Sequence, residues 1–76
     1  MQIYYSKNAV KFLEKQSKDT QRRIIVAIEK LPSGDIVKLH GLQGYRLRVG
    51  DIGIIYVNNG ELINIISIGF RGGVYK

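Results

Sequence analysis

The sequence predicts an α+β domain in the order β-α-α-β-β-β, with an N-terminal strand and helical hairpin packed on a small, mainly antiparallel sheet. Two observations carry that prediction. Apolar residues recur at helical spacing up to Leu31, and from Tyr45 onward the period drops from 3.6 to 2. The period-2 segments are joined by Gly50-Asp51 and by Asn58-Asn59-Gly60, connections so short that the strands they join must be antiparallel neighbours. At 76 residues the chain reads as a single domain over 1–76, near the lower limit for folding alone.

Residues 2–5 read as a short strand with Ile3 and Tyr5 on one face. Ser6 is the N-cap expected for a helix running to about Gln16, with Ala9, Val10, Phe12 and Leu13 as its buried stripe. Ser17-Lys18-Asp19 interrupts it, and Asp19 is the expected cap of a second helix. There Ile24, Ala27, Ile28 and Leu31 recur at helical spacing, while Arg22, Arg23, Glu29 and Lys30 spread over the other sides. Pro32-Ser33-Gly34-Asp35 ends that helix. Strands follow at about 44–49, 52–57 and 61–68. The stretch from Leu62 to Ile68 is apolar at nearly every position, which predicts a central strand covered on both faces or covered by a partner. The sheet is mixed if the first strand pairs in parallel.

Composition narrows the function. Hydrophobic content of 45% with 9 Gly and 1 Pro belongs to an ordered domain. Twelve Lys and Arg against six Asp and Glu give a formal charge of +6, which favours nucleic acid or an acidic protein as partner. Without cysteine there is no disulfide and no thiol chemistry, and one His with carboxylates is a poor ligand set for zinc. No signal peptide and no apolar stretch of membrane-spanning length is found, so a soluble, cytoplasmic protein is expected.

Alternation from Tyr45 to Val49 sets Tyr45, Leu47 and Val49 on one face of a strand and Arg46 and Arg48 on the other. Two guanidiniums roughly 7 Å apart match neighbouring phosphates, although for two arginines alone a solvated strand face is the favoured reading. Gly69, Gly72 and Gly73 surround Arg71, followed by a last short strand at Val74-Tyr75. A hairpin register pairing the three strands brings the end of the third beside the first or second, where Arg71 can share a concave face with Arg46 and Arg48. Tyr75 then either stacks on a base or packs as ordinary strand. His40, in a Gly-flanked connector without nucleophile or second imidazole, reads as a solvated loop residue. Glu14, Asp19, Glu29, Asp35, Asp51 and Glu61 form no pair spaced for metal or glycoside chemistry and read as structural.

These residues resemble the RelE/ParE superfamily of bacterial and archaeal type II toxins, in its RelE-like mRNA interferase branch. The resemblance spans the chain: the strand and helical hairpin, Leu31-Pro32-Ser33-Gly34-Asp35, Lys38-Leu39-His40-Gly41, Tyr45-Arg46-Leu47-Arg48-Val49-Gly50-Asp51, Ile54-Ile55-Tyr56, and Gly69-Phe70-Arg71-Gly72-Gly73-Val74-Tyr75. It implies a ribosome-dependent endoribonuclease that cuts mRNA at the A-site codon and is held inactive by an acidic antitoxin. The implied chemistry needs neither metal nor cofactor, the ribose 2′-OH attacking its own 3′-phosphate. Arg46 and Arg48 match the family's two basic strand residues, Arg71 its phosphate-stabilising arginine, and Tyr75 its C-terminal tyrosine.

The sequence departs from the family pattern at two places. Gly53 stands before Ile54-Ile55-Tyr56, where the family usually carries an arginine, so attenuated or absent cleavage is expected. Phe70 stands where relatives often place a polar or basic residue. A ParE-like inhibitor of DNA gyrase, without catalysis, is the alternative the resemblance leaves open. A basic domain acting only as antitoxin ligand and co-repressor is a third.

Overall fold

The computed structural model describes residues 2–39 and 44–70. Its elements run β1 (Gln2–Tyr5), α1 (Lys7–Glu14), α2 (Lys18–Glu29), β2 (Ile36–Lys38), β3 (Tyr45–Val49), β4 (Ile52–Asn58) and β5 (Leu62–Phe70). The predicted α+β order is present, with one strand more than the sequence signalled. β2 has only three residues, too few for a period-2 pattern to register. It exists because Ile36, Val37 and Lys38 pair with Leu47, Arg46 and Tyr45 of β3.

Both helices start on a serine. Ser6 Oγ accepts the Ala9 N–H at 3.1 Å and donates to the Ile66 carbonyl at 2.6 Å, so one hydroxyl caps α1 and fastens it to β5. The cap of α2 is Ser17, which accepts the Thr20 N–H at 3.2 Å, rather than Asp19. Asp19 lies inside the first turn, where its carboxylate faces the positive end of the helix. α1 stops at Glu14, two residues before the expected Gln16. Gln21 then stitches the junction by donating to the carbonyls of Leu13 at 2.7 Å and Gln16 at 3.2 Å.

The five strands form one sheet ordered β1-β5-β4-β3-β2. β1 runs parallel to β5, and the other pairs are antiparallel. In the β4–β5 turn, Asn58 Oδ1 accepts the Gly60 N–H at 2.8 Å, and Asn59 Oδ1 accepts from Leu62 at 2.8 Å. Gly60 sits at φ 96°, a conformation that other residues rarely adopt.

The helices cover one face of this sheet. Ala9, Ile24 and Ile28 pack with Leu47, Ile52, Ile54, Tyr56, Ile63, Ile65 and Ile68 to form the core. Each isoleucine so buried contributes about 1.5–3 kcal/mol relative to exposure. Tyr45 stacks on Tyr56 with centroids 5.4 Å apart, and Phe12 meets Phe70 edge-on at 5.2 Å. Val10, expected inside, is 40% exposed because it lies about 100° round the helix from Ala9.

The last long strand is interior, paired with β1 and β4, but the reading of it as covered on both faces is corrected. β4 is the central strand, and Ile66 of β5 is 46% exposed. The uniform hydrophobicity has another cause. Ile55 pairs with Ser67 while Tyr56 pairs with Ile65, so Ile66 is an extra residue, and the inward set switches from Ile63 and Ile65 to Ile68. Among the described residues no helix is long and apolar enough to cross a membrane.

Candidate nucleic-acid interface

The register of β3 determines where its arginines go. Leu47 is buried beneath the helices with Tyr45 and Val49 packed beside it, so Arg46 and Arg48 belong to the opposite face, as alternation predicts. Arg46 stands between Val37 of β2 and Ile55 of β4, and the row continues to Ser67 of β5. Arg48 is opposite Gly53, which is opposite Gly69. Two of the three positions in that second row lack a side chain, yet Gly53 is buried. Gly53 therefore lies mid-strand, paired on both sides, and belongs to the same face as both arginines.

β5 delivers its last described residue, Phe70, opposite Ile52, which pairs in turn with Val49. The end of the third long strand thus lies beside the second, as the hairpin register required. Arg71 and Tyr75, the other two predicted site residues, lie outside the described residues, and so do His40 and the last short strand expected at Val74-Tyr75. Phe70 is packed on Phe12, which accounts for an aromatic ring at that position.

Arg48 has a partner that the sequence reading missed. Its Nε donates to Asp35 Oδ2 at 3.1 Å and its Nη2 to Oδ1 at 2.8 Å, a side-on bidentate ion pair. The Arg48 backbone N–H also donates to the Asp35 carbonyl at 2.9 Å. The hydrogen bonds that Arg48 donates to Asp35, followed by the negative charge of Asp35, hold the guanidinium pKa above its ordinary value. Asp35 directly precedes Ile36-Val37-Lys38. Treating those residues as a strand paired to β3 would have placed it beside Arg48.

A second surface lies on the helix side. Val26, Ala27, Leu47 and Val49 line an open groove of about 370 Å³ between α2 and β3, with Arg23, Lys30 and the Asp35–Arg48 ion pair also in its lining. Val26 is 42% exposed there. Apolar lining flanked by Arg23 and Lys30 suits an amphipathic segment carrying acidic residues.

No family sequence model matches the chain. No curated protein matches it in sequence. Solved structures do match. The chain superposes on an archaeal RelE–RelB complex from Pyrococcus horikoshii OT3 with TM-score 0.76 and 28% identity, covering 95% of this chain and 96% of that one. Against a RelB–RelE antitoxin–toxin complex from Methanococcus jannaschii the TM-score is 0.78 and identity 29%, covering 95% and 94%. A RelBE2 toxin–antitoxin complex from Mycobacterium tuberculosis gives TM-score 0.68 at 15% identity over 92% and 96%, a likeness of fold alone.

Proposed function

We infer that this chain, RelE-like in fold and in its structural neighbours, is the toxin of a type II toxin–antitoxin pair. Its target is mRNA on the ribosome, cut at the A-site codon. The observation that supports this most is the placement of Arg46 and Arg48 on the sheet face turned away from the helices, in a register that ends β5 across β4 from them.

Cleavage of this kind requires the 2′-OH, the phosphorus and the leaving 5′-oxygen to be held in line, and requires charge on the pentavalent phosphate to be met by donors. The attacking oxygen loses its proton, the 5′-oxygen gains one, and the products are a cyclic phosphate and a 5′-hydroxyl. Arg46 and Arg48 clamp the backbone, Arg71 stabilises the phosphate, and Tyr75 stacks on a base or assists the nucleophile. Arginine, with a pKa above about 12, is a phosphate clamp and a poor proton carrier at neutral pH. Catalysis by this set rests on charge and geometry. Gly53 withholds one further donor from the same face, so this chain cleaves slowly or not at all.

The partner is a cognate acidic antitoxin whose apolar side lies along the groove lined by Val26, Ala27, Leu47 and Val49, its carboxylates meeting Arg23 and Lys30. Gly53 and the engagement of Arg48 by Asp35 favour a second reading, a ParE-like gyrase inhibitor that needs no arginine cluster. Primer extension on mRNA from cells expressing the chain separates the two. Codon-specific cuts support the ribonuclease. A DNA-damage response with intact mRNA supports the gyrase reading, and neither effect in a chain that still binds its antitoxin leaves only the co-repressor role.

A further inference from the structure

Arg48, on the candidate RNA face, is gripped by the chain itself. Asp35 takes the Nε/Nη2 edge of Arg48, the edge a phosphate uses when it binds arginine side-on. The carboxylate cannot drift away with its backbone. Arg48 N–H to Asp35 O, at 2.9 Å, extends the β2–β3 ladder one rung beyond the pairing of Ile36 with Leu47. Yet the two side chains remain 35% and 58% exposed, so water and ions reach the pair and either oxygen can be displaced by another anion.

We propose that Asp35 is a specificity-determining residue of the RNA face, cancelling Arg48 towards single anions and releasing it only to a polyanion that engages other cations at the same time. The proposal rests on the RNA-binding reading above. A lone phosphate at Arg48 replaces one carboxylate contact by one phosphate contact and gains little. A strand already held by other cations of the chain presents its next phosphate at high effective concentration, and displacement becomes favourable. Free nucleotides and inorganic phosphate are thereby discriminated against, whereas single-stranded RNA is not.

The test measures RNA binding by fluorescence anisotropy over a salt series, using the parent chain, Asp35→Asn, Arg48→Ala and the double variant. Glu14→Gln on α1 controls for the added net charge. Asp35→Asn is expected to tighten RNA binding by about two- to five-fold at low salt and to steepen log K against log salt by about 0.7. In the Arg48→Ala background it should do no more than Glu14→Gln. Inorganic phosphate, followed at the Arg48 Nε–H resonance, should bind Asp35→Asn and leave the parent unmoved. An Asp35→Asn effect equal to that of Glu14→Gln overturns the proposal, and weaker binding overturns it in favour of Asp35 holding Arg48 in place. If neither chain binds RNA while phosphate still tells them apart, the RNA reading falls and the role of Asp35 stands. If both bind RNA with one slope, the reverse holds.

Discussion

Placing an arginine at Gly53 is the most direct test of why this chain should cleave poorly. Gly53 pairs with Arg48 on one side and Gly69 on the other. A guanidinium there enters the face that carries Arg46 and Arg48, between Arg48 and the strand that leads to Arg71. A charged donor aimed at a developing phosphate charge is worth about 10²–10³ in rate, or roughly 2.7–4 kcal/mol of barrier. Gly53 is buried, so the added side chain must also find room at a covered position, a cost that two effects offset. A side chain in place of a mid-strand glycine gains about 0.5–1 kcal/mol, and Asp35 offsets the charge of the neighbouring Arg48. Single-turnover cleavage of mRNA in programmed ribosomes, mapped by primer extension, reads the rate, and a melting curve checks the fold. Gly53→Ala supplies the control, with the stiffer strand but no added charge. A Gly53→Arg protein that melts within about 8 °C of the parent, binds ribosomes and cleaves no faster refutes the argument.

Three further outcomes are expected. Ile28→Ala empties a fully buried position and should cost about 2–5 kcal/mol, a large share of the roughly 4–11 kcal/mol available to a chain of this length, as a urea titration will report. Ser17→Ala should cost about 1 kcal/mol through loss of the α2 cap, and Asp19→Ala about 0.3–1; the reverse ranking would contradict the observed Thr20 N–H to Ser17 bond. Burial, reinforced by Glu29 at Tyr5 and by Tyr45 at Tyr56, holds both phenols above the usual 10.0. Above that pH the unfolded chain loses these protons before the folded one does. Stability should therefore decline as pH rises from 10.0 towards the folded-state values, and Tyr56→Phe should shallow the decline.

The sequence legible by itself extends a long way here. Helical spacing of Ile24, Ala27, Ile28 and Leu31, strict alternation from Tyr45 to Val49, and the Asn58-Asn59-Gly60 turn are local patterns, each produced by a residue and its near neighbours. They determined the helices, the hairpins and the face that bears Arg46 and Arg48. What escaped was non-local. β2 exists only through its pairing with β3, the bulge at Ile66 only through its pairing with β4, and the Arg48–Asp35 contact only through a ladder joining residues 13 apart. Serine rather than aspartate at the α2 cap was within reach of sequence, since both are good caps, but the competition between them was decided by where the first turn closes. Tertiary pairing sets these features because a hydrogen-bond ladder fixes both strands at once, and one strand's residues do not carry the register of the other.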